Sequence, residues 1–163
     1  RMPSWWSQRV TSGAWRGQWN DWRQYTLIGE VNDGNSYHAF SGVAGHAGLF
    51  SDSEDLNTLL NLLIHGGTYN GKHYLKSETV DMFWNSYGGP LGWQIFEPSN
   101  TMIFSHSGFT GTFVAAVPEE KLSIVLLTNR QNKGLRADGY YEELEALDQE
   151  LLEILTSRFP SPS

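Results

Sequence analysis

The sequence contains no cysteine, few basic residues and no long apolar run. Without cysteine, a disulfide scaffold, a thiolate nucleophile and a cysteine-ligated metal are all excluded. Lysine and arginine total 11 against 18 acidic residues, for a net charge of −7. Nucleic acid and anionic membranes need a basic face, so this charge argues against both as partners. Apolar runs such as Leu59–Leu60 and Leu62–Ile64 are far shorter than a membrane span.

The chain is long enough to form one domain with a core of its own. Its 163 residues include 13% aromatic side chains, which disordered chains lack. We divide this single, partial domain into a Trp-rich arm (1–28), a Gly-rich loop with helices (29–90), and antiparallel strands with a C-terminal helix (91–157). Five of the seven tryptophans lie in the arm. Their indoles pack on the rest of the fold, stack on a sugar or peptide, or form an interface.

Two helices are predicted in the middle of the chain. Ser51 or Ser53 is the expected N-cap of the first, an apolar face follows, and Gly66–Gly67 ends it. Its face consists of Leu56, Leu59, Leu60 and Leu63. Ser77 is the expected N-cap of the second helix, which runs to about Trp84. The glycine-rich stretch before them, residues 29–52, is predicted to form turns and loops.

From Leu91 onward the apolar pattern is typical of strands. We predict strands at Leu91–Glu97, Thr101–Ser107, Thr112–Val117 and Leu122–Thr128, the last two forming a hairpin. A final helix is predicted from Ala137 to Ser157, with an inward stripe of Leu144, Leu147, Leu151, Ile154 and Leu155. The fold class is therefore α+β, an antiparallel sheet covered by helices.

The segment from Phe104 to Thr112 carries the residues best suited to chemistry. His106 could move a proton, and backbone N–H groups near Gly108 could bind an oxyanion. The alternative is a glycine-rich strand edge whose histidine bonds a neighbouring carbonyl. A self-contained Ser-His-Asp site is not indicated, because Ser105 and Ser107 point to the other face from His106. No Gly-x-Ser-x-Gly elbow is present either.

The order of these motifs resembles a known superfamily. His106-Ser107-Gly108-Phe109-Thr110-Gly111, followed by a hairpin that ends in Leu126-Leu127-Thr128-Asn129-Arg130, is similar to the serine β-lactamases and penicillin-binding proteins. The branch with esterases and D-aminopeptidases fits best. Gly42–Ser51 resembles the segment before a helix in these hydrolases. The resemblance runs from about Gly29 to Leu155 and implies the C-terminal portion of a β-lactamase-like fold.

The resemblance implies roles for six residues. His106 and Ser107 would occupy the Lys and hydroxyl positions of the Lys/His-Ser/Thr-Gly triad that walls the active site. The backbone N–H of Phe109 would be one oxyanion donor. Gly108 and Gly111 would leave room for a ligand backbone, and His46 would lie on the rim, unless it only bonds loop backbone. Because an imidazole changes charge near neutral pH, binding of a carboxylate by His106 would depend on pH.

The superfamily's nucleophile motif is missing from these residues. None of the four lysines has serine three positions before it, so there is no Ser-x-x-Lys, and no Tyr-x-Asn or Ser-x-Asn is present. We therefore expect one wall of a serine hydrolase that is inactive alone. The full enzyme would act on an ester, amide or peptide-like substrate through an acyl-serine, without metal or cofactor.

The missing nucleophile also bears on partners and location. The missing N-terminal half, or self-association, would complete the fold, and the resemblance implies an extracytoplasmic location. The alternative is a non-catalytic module that binds a peptide, glycan or partner chain in its glycine-lined groove.

Overall fold

The computed structural model describes residues 23, 25–86, 89–96 and 101–157. They divide into two compact units, one with the described residues up to Ser51 and Leu135–Tyr140, the other with Asp52–Gly134 and those from Tyr141 onward.

The helices and strands follow in chain order: α1 Gly34–Phe40, α2 Ser53–Ile64, β1 Thr68–Tyr69, β2 Lys72–His73, α3 Ser77–Trp84, β3 Gln94–Phe96, β4 Ile103–Ser107, β5 Thr112–Val117, β6 Leu122–Leu127, a 3₁₀ turn Arg130–Lys133, and α4 Glu145–Ser157.

The first unit contains helix α1, where the sequence predicts only turns and loops. Asp33 caps this helix by accepting a hydrogen bond from the Ser36 N–H at 2.7 Å. Ser41 ends it in the left-handed conformation, and the Gly42 N–H donates to the Ser36 carbonyl. These contacts at its two ends stabilise a seven-residue helix whose residues have weak intrinsic helix propensity. The spacing of apolar residues in the sequence therefore does not predict it.

The second unit is built on a four-stranded antiparallel sheet in the order β3-β4-β5-β6. Ser105 lies opposite Ala115, and Ala115 lies opposite Ile124. The predicted antiparallel sheet and the β5–β6 hairpin are thus confirmed. The first strand is shorter than predicted, because the described part of the chain pairs only from Gln94 to Phe96.

Helix α4 covers one face of the sheet. Its Leu152 packs into a core with Ile103, Phe113, Ala115 and Val117. Phe113, Ala115 and Val117 are two positions apart along β5, so their side chains lie on one face of the sheet. Ile103 shares this face, because it is two positions from Ser105, which lies opposite Ala115. The predicted cover of the sheet by the C-terminal helix is confirmed.

Helices α2 and α3 cover the opposite face. Val80 and Trp84 of α3 pack with Phe104, and Leu63 of α2 contacts this cluster. The Trp84 indole stacks on the Phe104 ring at 4.6 Å between centroids. Farther along the sheet, the Ser123 hydroxyl donates to the Asn57 side-chain oxygen of α2 at 2.6 Å. Strand β6 is thus covered on both sides, which fits its continuous apolar run Ile124-Val125-Leu126-Leu127.

The starts of α2 and α3 differ from the prediction. Asp52, rather than either flanking serine, caps α2, and its carboxylate accepts the Glu54 and Asp55 N–H groups, each at 2.9 Å. All three residues can cap a helix, so composition alone does not choose between them. Ser77 is the first residue of α3 rather than its cap, and Lys76 precedes it without a side-chain cap.

The C-terminal helix begins at Glu145, eight residues later than the predicted Ala137. Residues 135–140 form a turn instead, in which Gly139 has a φ of 82°. Asp138 bonds the Arg136 guanidinium and the Tyr140 N–H, and these contacts lower the pKa of its carboxyl. A glycine with positive φ cannot continue a right-handed helix, which explains the later start.

The buried face of α4 also differs from the predicted stripe. Leu151 and Leu152 face the sheet, whereas Leu147 and Ile154 are exposed. Apolar residues occur on more than one side of this helix, so their spacing does not select the buried side.

Parts of the prediction lie outside the described residues. These are most of the Trp-rich arm, Glu97 and the turn at Pro98-Ser99-Asn100. Within the described residues, no helix is long and apolar enough to cross a membrane.

We predict that Leu152→Ala lowers the free energy of unfolding by about 2–5 kcal/mol, because it leaves a cavity between α4 and the sheet. The side chain of Leu152 is 4% exposed. The control is Ile154→Ala on the same helix, where the side chain is 47% exposed and the expected change is within about 0.5 kcal/mol. Urea unfolding measures both, and equal losses in the two variants would contradict the packing of α4.

Candidate active-site wall

His106 and Ser107 are the last two residues of β4. His106 lies opposite Val114 and Ser107 lies opposite Phe113, so their side chains leave opposite faces of the sheet. Both are exposed, whereas Ser105, one residue earlier, is buried. The two predicted triad residues therefore share a strand end but not a face.

The strand end at His106 has an open side. On one side β4 pairs with β5 as far as Ser107, but on the other side its last pair with β3 is Ser105 with Gln94. Among the described residues, β5 is thus the one strand partner of His106 and Ser107. Unpaired backbone groups at a strand edge can receive another extended backbone.

A tight turn, Gly108–Gly111, follows the strand end. The Gly111 N–H donates to the Gly108 carbonyl at 3.0 Å, and the Gly108 N–H donates to the Thr112 carbonyl at 2.7 Å. Between them, the N–H groups of Phe109 and Thr110 bond no acceptor in the described part of the chain. Free backbone N–H groups can bind an oxyanion when they point at it.

The glycines of this turn give space to the chain's own side chains. Gly111 has a φ of 104°, and a Cβ there would lie 2.9 Å from the Leu144 Cδ1 and even closer to the Thr128 hydroxyl. A Cβ on Gly108 would meet the hydroxyl of Thr112. Both glycines therefore allow the turn to pack closely, and their part in ligand binding stays a prediction.

Thr128 also holds the turn, a contact that sequence reasoning missed. Its N–H and its hydroxyl both donate to the Gly111 carbonyl, at 3.0 and 2.6 Å. The only sign in the sequence is that Thr128 belongs to the motif at the end of the β5–β6 hairpin.

His46 belongs to the first unit, where Ser36 and Asp33 surround its Nδ1 atom. The Ser36 hydroxyl is fully buried, lies 3.1 Å from Nδ1, and donates its proton to the His46 carbonyl. Asp33 Oδ1 lies 3.8 Å from the same nitrogen. The side chain of His46 is itself 62% exposed.

This cluster is not a catalytic triad, although it contains serine, histidine and aspartate. In a triad the serine and the aspartate bond different ring nitrogens, whereas here both face Nδ1. Since the Ser36 proton is already donated, Ser36 can only accept from an Nδ1–H group. The network therefore assigns the neutral imidazole as Nδ1–H, with Nε2 as a hydrogen-bond acceptor.

The other histidines make local contacts. The His65 ring lies 2.8 Å from the Asn61 carbonyl, His73 lies 2.8 Å from the Thr68 hydroxyl, and His38 meets the Tyr37 ring edge-on. Within the described residues, no group of three His, Asp or Glu side chains could hold a metal ion.

Comparison with known proteins finds one matching family and several curated relatives. The family described as Beta-lactamase matches residues 3–148 of the chain. An "N-acetylmuramyl-L-alanine amidase" of Bacillus subtilis is 32% identical over 68% of this chain. A "Putative D-alanyl-D-alanine carboxypeptidase" of Escherichia coli is 33% identical over 66% of it. The chain spans 28% of the length of each of these relatives. No solved structure matches it.

We predict that Ser36→Ala shifts the neutral tautomer of His46 toward Nε2–H, because the acceptor for Nδ1–H is lost. Nitrogen NMR shifts of the imidazole measure the tautomer. Thr68→Ala, which removes the hydroxyl partner of His73, serves as the control and should leave His46 unchanged. If the wild-type chain already shows mainly Nε2–H at His46, the assigned network is wrong.

Proposed function

Because the chain belongs to the beta-lactamase family, we propose that it carries one wall of the active site of a serine hydrolase that acts through an acyl-serine. The observation that carries this proposal is the pair of free N–H groups at Phe109 and Thr110, next to the open edge at His106. Free donors beside an open strand edge offer separate places for a reacting carbonyl and for the substrate backbone.

Each residue of the wall has a chemical role in this proposal. The Phe109 N–H donates to the carbonyl oxygen as negative charge develops on it during attack by serine. His106, in the position of the triad's first residue, binds a carboxylate or carbonyl of the substrate and passes protons. Ser107 contributes a hydroxyl that can donate or accept a hydrogen bond. Gly108 and Gly111 belong to the proposed binding residues, and His46, in the first unit, stays a predicted binding residue with Nε2 as its acceptor.

The proposed substrate is peptide-like and ends in a carboxylate. Both relatives described above have names that denote cleavage of amide bonds in alanine-containing compounds. An extended D-alanyl peptide can hydrogen-bond to the backbone groups of Ser107 on the open side of β4, as an added strand does, since the Gly108 N–H bonds toward β5 and strand residues alternate in direction.

The nucleophile must come from residues other than these 163, since they contain no Ser-x-x-Lys. We propose that the isolated chain is inactive, and that a partner supplying the rest of the fold completes the site. The chain spans 28% of the length of each curated relative, which supports a site completed by residues outside these 163.

We predict that a fluorophosphonate probe does not label the isolated chain, because no activated serine is present. Intact mass spectrometry measures the label, and a complete family member that contains Ser-x-x-Lys is the positive control. The isolated chain should also show no ester hydrolysis, with or without His106→Ala. Hydrolysis that His106→Ala abolishes would show that the nucleophile lies within these residues and that the proposal of inactivity is wrong.

We predict that acetyl-D-alanyl-D-alanine binds weakly to the 163-residue chain and shifts the NMR signals of the His106, Ser107, Phe109 and Thr110 amides. His106→Ala should weaken binding about tenfold, the size of a hydrogen bond to a charged group. His38→Ala is the matched control, because His38 is an exposed histidine in α1. Equal binding of the L,L-dipeptide, or shifts confined to other residues, would contradict the proposed wall.

A further inference from the structure

The turn that carries the free Phe109 N–H is bonded to the segment that follows β6. The Arg130 N–H donates to the Thr110 carbonyl at 3.1 Å, next to the two bonds from Thr128 to Gly111. The carbonyls of the turn are thus fixed from one side by Thr128 and Arg130. The side chain of Phe109 is held separately.

The Arg130 guanidinium lies over the Phe109 ring, with its Cζ atom 4.3 Å from the ring centroid. The Tyr141 ring meets Phe109 edge-on at 5.9 Å between centroids. Arg130 Nη1 donates to the Glu142 carbonyl at 3.3 Å, whereas its Nε is buried without an acceptor in the described part of the chain. Phe109 is 41% exposed, so this contact holds a ring that the core does not enclose.

We propose that Arg130 is a positioning residue that fixes the Phe109 peptide in the orientation where its N–H can meet an oxyanion or carboxylate. The inference rests on the function proposed above. The bonds from Thr128 and Arg130 reach the carbonyls of Gly111 and Thr110, so neither acts on the Gly108–Phe109 peptide, which carries the Phe109 N–H. Stacking of the Phe109 ring limits the movement of the Phe109 Cα and Cβ, and therefore of the N–H on the same residue.

The chemistry of arginine suits this role. A guanidinium is flat, stays charged at every physiological pH and stacks on an aromatic face, while an ammonium group is a compact, strongly hydrated charge. Arg130→Lys therefore keeps the charge and loses the flat contact. Arg130→Gln loses the charge, and Lys133→Gln is its matched control, because Lys133 ends the same 3₁₀ turn and is exposed.

The experiment measures the turn and the ligand separately in the 163-residue chain. Hydrogen exchange of the Gly111 amide reports the closure of the turn, and titration with acetyl-D-alanyl-D-alanine reports binding. We expect Arg130→Lys and Arg130→Gln each to speed exchange and to weaken binding about fivefold, the range of a cation–π contact, while Lys133→Gln changes neither. In a Phe109→Leu background, Arg130→Gln should add no further loss, since the ring it stacks on is already absent.

The possible outcomes separate the two proposals. If the wild-type chain binds the dipeptide and the Arg130 variants bind it as well as Lys133→Gln does, the positioning role is wrong. If the effects of Arg130→Gln and Phe109→Leu simply add, the two side chains do not act together, and the role is wrong again. If the wild-type chain does not bind the dipeptide, the proposed function fails, and the exchange of the Gly111 amide alone then decides whether Arg130 holds the turn.

Discussion

The antiparallel pairing of β4 with β5 determines where every residue of the candidate wall lies. The register of Ser105 with Ala115 buries one side of both strands under α4 and the other under α2 and α3. A shift of β4 by one residue would turn Ile103 from the α4 side toward α2 and α3 and turn His106 toward α4, which would disrupt the packing on both faces. Packing of the hydrophobic core therefore determines on which face the side chains of His106 and Ser107 lie.

The turn after β4 shows how packing and function share the same glycines. Gly111 adopts a positive φ and lies against Thr128 and Leu144, so a side chain there would be excluded by the protein itself. In the same turn, the N–H groups of Phe109 and Thr110 bond no acceptor in the described part of the chain. A glycine-rich motif can thus be required by the fold while its backbone serves the ligand.

The sequence predicts the sheet well because its signals are local and repeated. Apolar residues over Thr112–Val117 and Leu122–Leu127, with the turn at Pro118 between them, predict both strands and their hairpin. The late start of α4 depends on Gly139 and on bonds made by Asp138, which no periodicity reports. The contacts of Ser36 with His46, and of Arg130 with Phe109, join residues that are distant in the sequence, so only the folded chain shows them.

The open side of β4 at His106 and Ser107 also has a consequence for solubility. A row of unpaired backbone groups does not distinguish a substrate from a strand of another molecule, and long edges of this kind lead to aggregation. Beyond the last pair with β3 this end of β4 is two residues long, and only Ser107 turns its backbone N–H and C=O to the open side before the turn at Gly108 bends the chain away. Because this edge is short, it offers little surface for aggregation. For the same reason, any backbone that pairs here does so over a similarly short segment.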